Sequence, residues 1–206
     1  MLVLRSSPAS PFGRKVKMAA LELGLMDRIE IVAADTNDPS DPLRRQNPLG
    51  KIPTLVLENG MTLFDSRVIV EYLDHLAGGG HILPRDTKAR FEALRLQALC
   101  DGILDASLLI VYEGRYRPAD KCVQSWIDRQ ADKAARGLAA LEAKPPALDL
   151  KAEPLPNVGQ ITLACLLGYR DLRFAGAWRK EYPKLVDWLD AFAAQVPIFN
   201  ETKVAA

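Results

Sequence analysis

The sequence predicts an α+β domain of order βαβ-ββα over residues 1–76, a connection over 77–86, and an all-α helical bundle over 87–206. Three observations carry this reading. An apolar run, a capped amphipathic stretch and a second apolar run follow one another within the first 33 residues. An Asn-Gly turn then joins two further apolar runs ahead of another helix start. Beyond the Gly-rich break at 77–86 the strand signals stop, and long amphipathic stretches take their place.

Residues 1–4, Met-Leu-Val-Leu, read as a short buried strand ended by Arg5-Ser6-Ser7-Pro8. Ser10 as N-cap and Pro11 at the first helical position start a helix. Its apolar residues Val16, Ala19, Ala20 and Leu23 recur at helical spacing, and Gly24 stops it. Residues 29–33 read as a second strand, and strand–helix–strand implies a parallel pair with a right-handed crossover. Residues 35–50 are polar and turn-rich. The stretch 47–57 begins with the turn chemistry Asn47-Pro48 and Leu49-Gly50 and ends in an apolar strand from Thr54. Pro53 sits at the strand start, where a missing N–H costs no ladder bond. The Ile52–Pro53 bond is either trans in an ordinary loop or cis. A cis bond would turn the Ile52 backbone outward, where a peptide-like ligand can pair with it as an added strand. Glu58-Asn59-Gly60 leads into 61–64, and Asp65-Ser66 opens a helix through Val68, Ile69, Tyr72 and Leu73.

In the second half, residues 88–111 place Phe91, Leu94, Ala98, Leu99, Ile103 and Leu104 on one long helix. A similar helix over 120–143 is stopped by Pro145-Pro146. Asn157 and Gln160 have capping-box spacing ahead of the apolar run 161–172, and a last helix covers 182–194.

Composition narrows the function classes. With 49% hydrophobic and 26% charged residues, the 206-residue chain can build a sizeable core. Lys plus Arg number 27 against 26 acids, a net +1, which gives no electrostatic case for nucleic acid or a membrane surface. No apolar run approaches the roughly 18 residues of a membrane span, and the short N-terminal apolar run does not read as a signal peptide. The three cysteines, Cys100, Cys122 and Cys165, form no Cys-x-x-Cys pair and fit a reducing, cytoplasmic compartment. His75 and His81 are not at ligand spacing with other donors, so no metal is expected. There is no Gly-x-Gly-x-x-Gly, phosphate loop or Gly-x-Ser-x-Gly. What remains is Ser10 at a helix start, Pro53 at a strand start and Asp65-Ser66 at another helix start, all along one sheet edge. Each taken alone also fits a plain cap or turn.

Three segments together resemble the glutathione S-transferase family, most closely its bacterial members with a serine or threonine at the first helix. They are Ser10-Pro11-Phe12-Gly13-Arg14-Lys15, the run from Asn47 to Leu55, and Asp65-Ser66-Arg67-Val68-Ile69-Val70-Glu71-Tyr72-Leu73. Order and spacing match jointly. The resemblance is strong before residue 76, weaker after it, and implies a thioredoxin-like first domain with cis Pro53. It also implies glutathione as co-substrate: Ser66 and the helix end for the γ-glutamyl carboxylate, Asp65 for the ammonium, Ile52 for the cysteinyl backbone and Lys51 for the glycyl carboxylate. Ser10 would donate a hydrogen bond to the sulfur as thiolate, with Ser6 and Ser7 as alternative donors. Arg14 is expected to be a structural or interface charge.

The sequence departs from other branches of that family. No cysteine precedes Cys100 and no tyrosine lies near the N-terminus, which disfavours the cysteine-type and tyrosine-type branches. The cap of the apolar helix uses Asn157 with Gln160 where the family usually has an aspartate in the second place. A small, hydrophobic electrophile would sit between the domains, with Tyr112, Arg115, Tyr116 and Trp178 as candidate pocket residues. The resemblance further implies a symmetric homodimer near twice 22.7 kDa, with helices at 88–113 and 120–143 contributing the interface. The expected activity is transfer of glutathione to that electrophile in detoxification. The alternative is a non-catalytic binding or regulatory protein on the same fold.

Overall fold

The computed structural model describes residues 1–151 and 154–204. The last two residues of the expected helical domain, 205–206, lie outside the described residues. The first domain contains β1 (Leu2–Ser6), α1 (Pro11–Glu22), β2 (Ile29–Ala33), α2 (Leu43–Gln46), β3 (Thr54–Val56), β4 (Thr62–Leu63) and α3 (Ser66–Leu76). Its four strands stand in the order β2-β1-β3-β4. β1 runs parallel to β2 and antiparallel to β3, so Leu4 faces Ile31 on one side and Leu55 on the other. This is the mixed sheet that the βαβ-ββα order predicts.

β1 runs two residues past the expected end, because Arg5 is held among buried groups by an ion pair to Asp41 at 2.7 Å. A charge that would end a buried strand is tolerated once it is paired. The hairpin strands are shorter than expected, and Gly60 closes the turn at φ +84. α2 is a short helix within the stretch read as polar loop.

The second domain is helical: α4 (Thr87–Tyr116), α5 (Gln124–Ala143), α6 (Val158–Phe174), α7 (Pro183–Gln195) and the short α8 (Ile198–Glu201). α4 continues five residues beyond the expected 111, and α5 starts four later than expected. One residue explains both shifts. Buried Glu113 on the extended part of α4 accepts the Val123 N–H at 3.0 Å, which fixes where α5 begins. The α6 capping box forms as the spacing predicts: Asn157 Oδ1 accepts from Gly159 and Gln160 N–H, and Gln160 Oε1 accepts from Asn157 N–H at 2.7 Å. Residues Val158 through Leu167 are all buried, so α6 is the central helix of the domain.

The stretch 77–86 contains no helix or strand, yet it is packed. Buried Asp74 accepts hydrogen bonds from the N–H groups of Gly80, His81 and Ile82, and Ile82 and Leu83 enter the core. Two further contacts join the domains. Lys15 on α1, 0% exposed, reaches both carboxylate oxygens of Asp101 on α4 at 2.8 and 2.9 Å. Arg14 donates to Phe199 O and to Thr202 Oγ1 near the C-terminus, as a structural charge. Gly168 permits this crossing, since a Cβ there would lie 2.5 Å from Arg14 Nη1.

Candidate functional site

A cleft of about 730 Å³ opens between the first domain and the α4–α6 face of the second. Ser10, Lys51, Ile52, Pro53, Asp65 and Ser66 line one wall, and Tyr112, Arg115 and Tyr116 line the other.

Ser10 caps α1, its Oγ accepting the Gly13 N–H at 3.0 Å. An accepting hydroxyl keeps its own proton to donate, and Ser10 is among the residues that line the cleft. Ser6 is buried beneath Gly13, so close that a Cβ on that glycine would sit 2.1 Å from Ser6 Oγ. Ser6 does not line the cleft, whereas Ser7 does.

The loop from Asn47 to Thr54 is built around the buried Asn47 amide. Its Nδ2 donates to Lys51 O at 2.9 Å and to Thr54 Oγ1 at 3.2 Å, while its Oδ1 accepts from Leu49 N–H. The Ile52–Pro53 bond is cis, as is Phe64–Asp65. Ile52 N–H and C=O form no hydrogen bond among the described residues and stand free at the cleft. Sequence reasoning treated Asn47 as turn chemistry alone. Its backbone-like amide two residues before Leu49 was the available signal for a loop-organising role.

Asp65 is the N-cap of α3. Its carboxylate accepts the Arg67 N–H at 2.9 Å and pairs with Arg67 Nη2 at 2.8 Å. Burial pushes this carboxyl up, but the hydrogen bonds and charge of Arg67 outweigh it and leave the group below the ordinary carboxylate range. Arg67 is a cleft residue the sequence reading did not single out. Ser66, next in line, is buried, and neither its N–H nor its hydroxyl has a partner among the described residues. Two open donors at a helix N-terminus make an anion site.

The opposite wall comes from α4 and α6. Asp101, Asp105, Leu109, Tyr112 and Tyr116 lie three or four residues apart on one face of α4, and Tyr169 and Arg173 lie one turn apart on α6. Tyr112 and Tyr116 meet edge to face at 5.2 Å, and the Arg115 guanidinium lies 5.7 Å from the Tyr112 ring. Tyr116 Oη donates to Asn37 Oδ1 at 3.1 Å, reaching across to the first domain. Burial pushes the Asp101 carboxyl up, and the Lys15 ammonium pulls it part of the way back. Burial likewise raises the Tyr169 hydroxyl, against the pull of Arg173.

Trp178 is not in this cleft, and its expected pocket role is corrected. It is 2% exposed, packed on the far side of α6, with its indole N–H donated to Asp171 at 2.9 Å. Tyr169 and Arg173 take that place in the wall and were missed. The run 161–172 reads as interior, and a four-residue spacing at its end was the only trace of a second face. Among the described residues no group of three or more His, Cys, Asp and Glu side chains is placed to hold a metal, and no helix is long and apolar enough to cross a membrane.

Comparison with known proteins finds two matching domains in separate stretches of the chain. A glutathione S-transferase N-terminal domain matches residues 9–76, and a glutathione S-transferase C-terminal domain matches residues 124–191. The GST-like protein YibF of Escherichia coli K12 is 35% identical over 184 residues, 89% of this chain and 89% of its own. A glutathione transferase family member from Pseudomonas fluorescens Pf-5, solved with bound glutathione, is 41% identical with a TM-score of 0.90 over 100% of both chains. A glutathione S-transferase from Methylobacillus flagellatus KT, solved with GSH bound, is 35% identical with a TM-score of 0.86, again over 100% of both chains. Sequence motifs, fold and cleft thus lead to one conclusion: this chain belongs to the glutathione S-transferase family.

Proposed function

We propose that the cleft binds glutathione as thiolate and that the protein transfers it, through its sulfur, to a small electrophile. One observation carries this reading: Ser10, the free Ile52 backbone and the open donors of Ser66 all face the same cleft. The Ile52 N–H and C=O pair with the cysteinyl backbone as an added strand would. Ser66 and the α3 N-terminus take the γ-glutamyl carboxylate, and Asp65 takes the ammonium while still paired to Arg67. Lys51 reaches the glycyl carboxylate. The two glutathione-bound structures above support the same use of this fold.

Ser10 Oγ–H then donates to the sulfur. A free thiol has a pKa near 8.5, and lowering it by ~2 units needs ~2.7 kcal/mol of preference for the thiolate. A charged hydrogen bond beside the α1 N-terminus supplies most of that. The thiol proton leaves to solvent and a sulfur lone pair forms the C–S bond. The electron pair of the broken bond departs on the leaving group, or, in an addition, the carbon takes a proton from water. Proximity in the preformed cleft does the rest.

Retention on glutathione-agarose, followed by conjugation of a generic aryl halide, tests the proposal. Retention with turnover is expected. Retention without turnover would leave a binding protein, and failure to be retained would overturn the assignment. We also propose a homodimer, supported by the exposure of large apolar side chains in each domain, Val68 in the first and Phe91 in the second. Light scattering near twice 22.7 kDa is expected, and a concentration-independent monomer would contradict it.

A further inference from the structure

The charges along the α4 wall are sorted by sign. Asp101 and Asp105 lie within electrostatic reach of Asp65, at the end of the cleft assigned to glutathione. Arg115 lies ten residues farther along α4, about 15 Å down the helix axis at its usual rise, and Arg173 of α6 lines the cleft with it. The acid end is largely neutralised: Asp101 is paired with Lys15 and Asp65 with Arg67. Neither Arg115 nor Arg173 belongs to an ion pair among the described residues; each stacks on or bonds to a tyrosine one turn earlier, Tyr112 or Tyr169. Two uncompensated guanidinium groups therefore share one half-apolar pocket with Leu108 and Tyr112.

Arginines in the last turns of α4 and α6 complement the helix dipoles, and that accounts for a cation at each helix end. It does not account for both lining the same cleft with no ion-pair partner among the described residues. About 15 Å of helix separates Asp105 from Arg115, and the other two acids at that end are paired, so the repulsion felt by an anion beside Arg115 is weakened by distance and by those pairs. We propose that the electrophile taken by this cleft carries a carboxylate, held between Arg115 and Arg173, so that the pocket selects anionic rather than neutral apolar substrates. Guanidinium groups suit that ligand, since each presents a planar pair of donors to a carboxylate. This rests on the glutathione reading of the opposite wall.

The test needs no turnover. Calorimetry compares three probes on the full chain: glutathione, S-(4-carboxybenzyl)glutathione and its isosteric amide, S-(4-carbamoylbenzyl)glutathione. The carboxylate conjugate should bind about tenfold more tightly than the amide, the size of one charge-assisted hydrogen bond over a neutral one. That ratio should fall as salt is added. In R115Q/R173Q it should approach one, and in R115K/R173K it should survive in part. Because the ratio is taken within each variant, a general loss of affinity cancels, and melting curves identify a variant that has not folded. Glutathione binding with equal affinity for the two conjugates would overturn this inference and leave the glutathione reading standing. A preference that survives R115Q/R173Q would also overturn it. If none of the three probes binds, the glutathione reading itself fails, and this inference with it.

Discussion

The two walls of the cleft are made of different material. On the first-domain wall the groups proposed to bind are main-chain atoms and helix termini: Ile52 N–H and C=O, the Ser66 N–H, and Ser10 where α1 begins. On the helical wall they are ends of long side chains, Tyr112, Arg115, Tyr116 and Arg173, which stand exposed on α4 and α6. Main-chain donors are aimed by turns and caps and vary little with the side chains that carry them. Side-chain groups are set by which residue occupies each helical position. The first wall therefore suits a constant ligand, and the second a ligand that defines specificity.

If the walls work as a pair, what joins them should matter most. Lys15 and Asp101 form a buried ion pair from α1 to α4, and removing one partner strands the other charge in the core. Lys15→Met should cost about 3–5 kcal/mol in urea unfolding, and Lys15→Met/Asp101→Leu should recover much of it. Asp101 already sits above the ordinary carboxylate range because of its burial, against the pull of Lys15. A carboxyl whose folded pKa is raised loses stability as pH rises through it, and losing Lys15 raises it further. The deficit of Lys15→Met should therefore shrink as pH falls. A deficit independent of pH, or additive single substitutions, would show that the walls are joined by packing instead.

The connection at 77–86 comes next. Asp74→Ala removes the acceptor for four backbone N–H groups, those of Gly80, His81, Ile82 and, at 3.4 Å, Leu83. The expected loss is about 3 kcal/mol, with Asp74→Asn intermediate. Amide exchange at Gly80, His81 and Ile82 should speed up selectively. Unchanged exchange there would mean that burial of Ile82 and Leu83 alone holds the segment.

The smallest effect in free energy separates chemistry from scaffold on the first wall. Ser10→Ala should raise the pKa of bound glutathione and lower turnover about 10- to 100-fold at neutral pH. Losing the cap to Gly13 N–H should cost only about 1 kcal/mol of stability. Ser10→Thr should keep most of both. Ser7→Ala is the informative control because Ser7 also lines the cleft, whereas Ser6 is buried beneath Gly13. If Ser10→Ala leaves the thiolate absorbance intact, Ser7 becomes the donor to test.

Much of the local structure was legible in the amino-acid order. The Ser10-Pro11 start of α1, the Asn-Gly turn and the Asn157–Gln160 capping box are local devices whose geometry is complete within a few residues. The arrangement of β1, β2 and α1 followed from order alone, since a strand–helix–strand unit admits one favoured hand. Tertiary structure decided the rest. The reach of α4 to Tyr116 depends on Glu113 capping a different helix and on Tyr116 meeting Asn37. Nothing local to Lys15 announces its pairing with Asp101, 86 positions away. Periodicity shows that a helix has faces, but not what each face meets. For that reason Trp178 went to the core while Tyr169 and Arg173, on the end of an apolar helix, came to line the cleft.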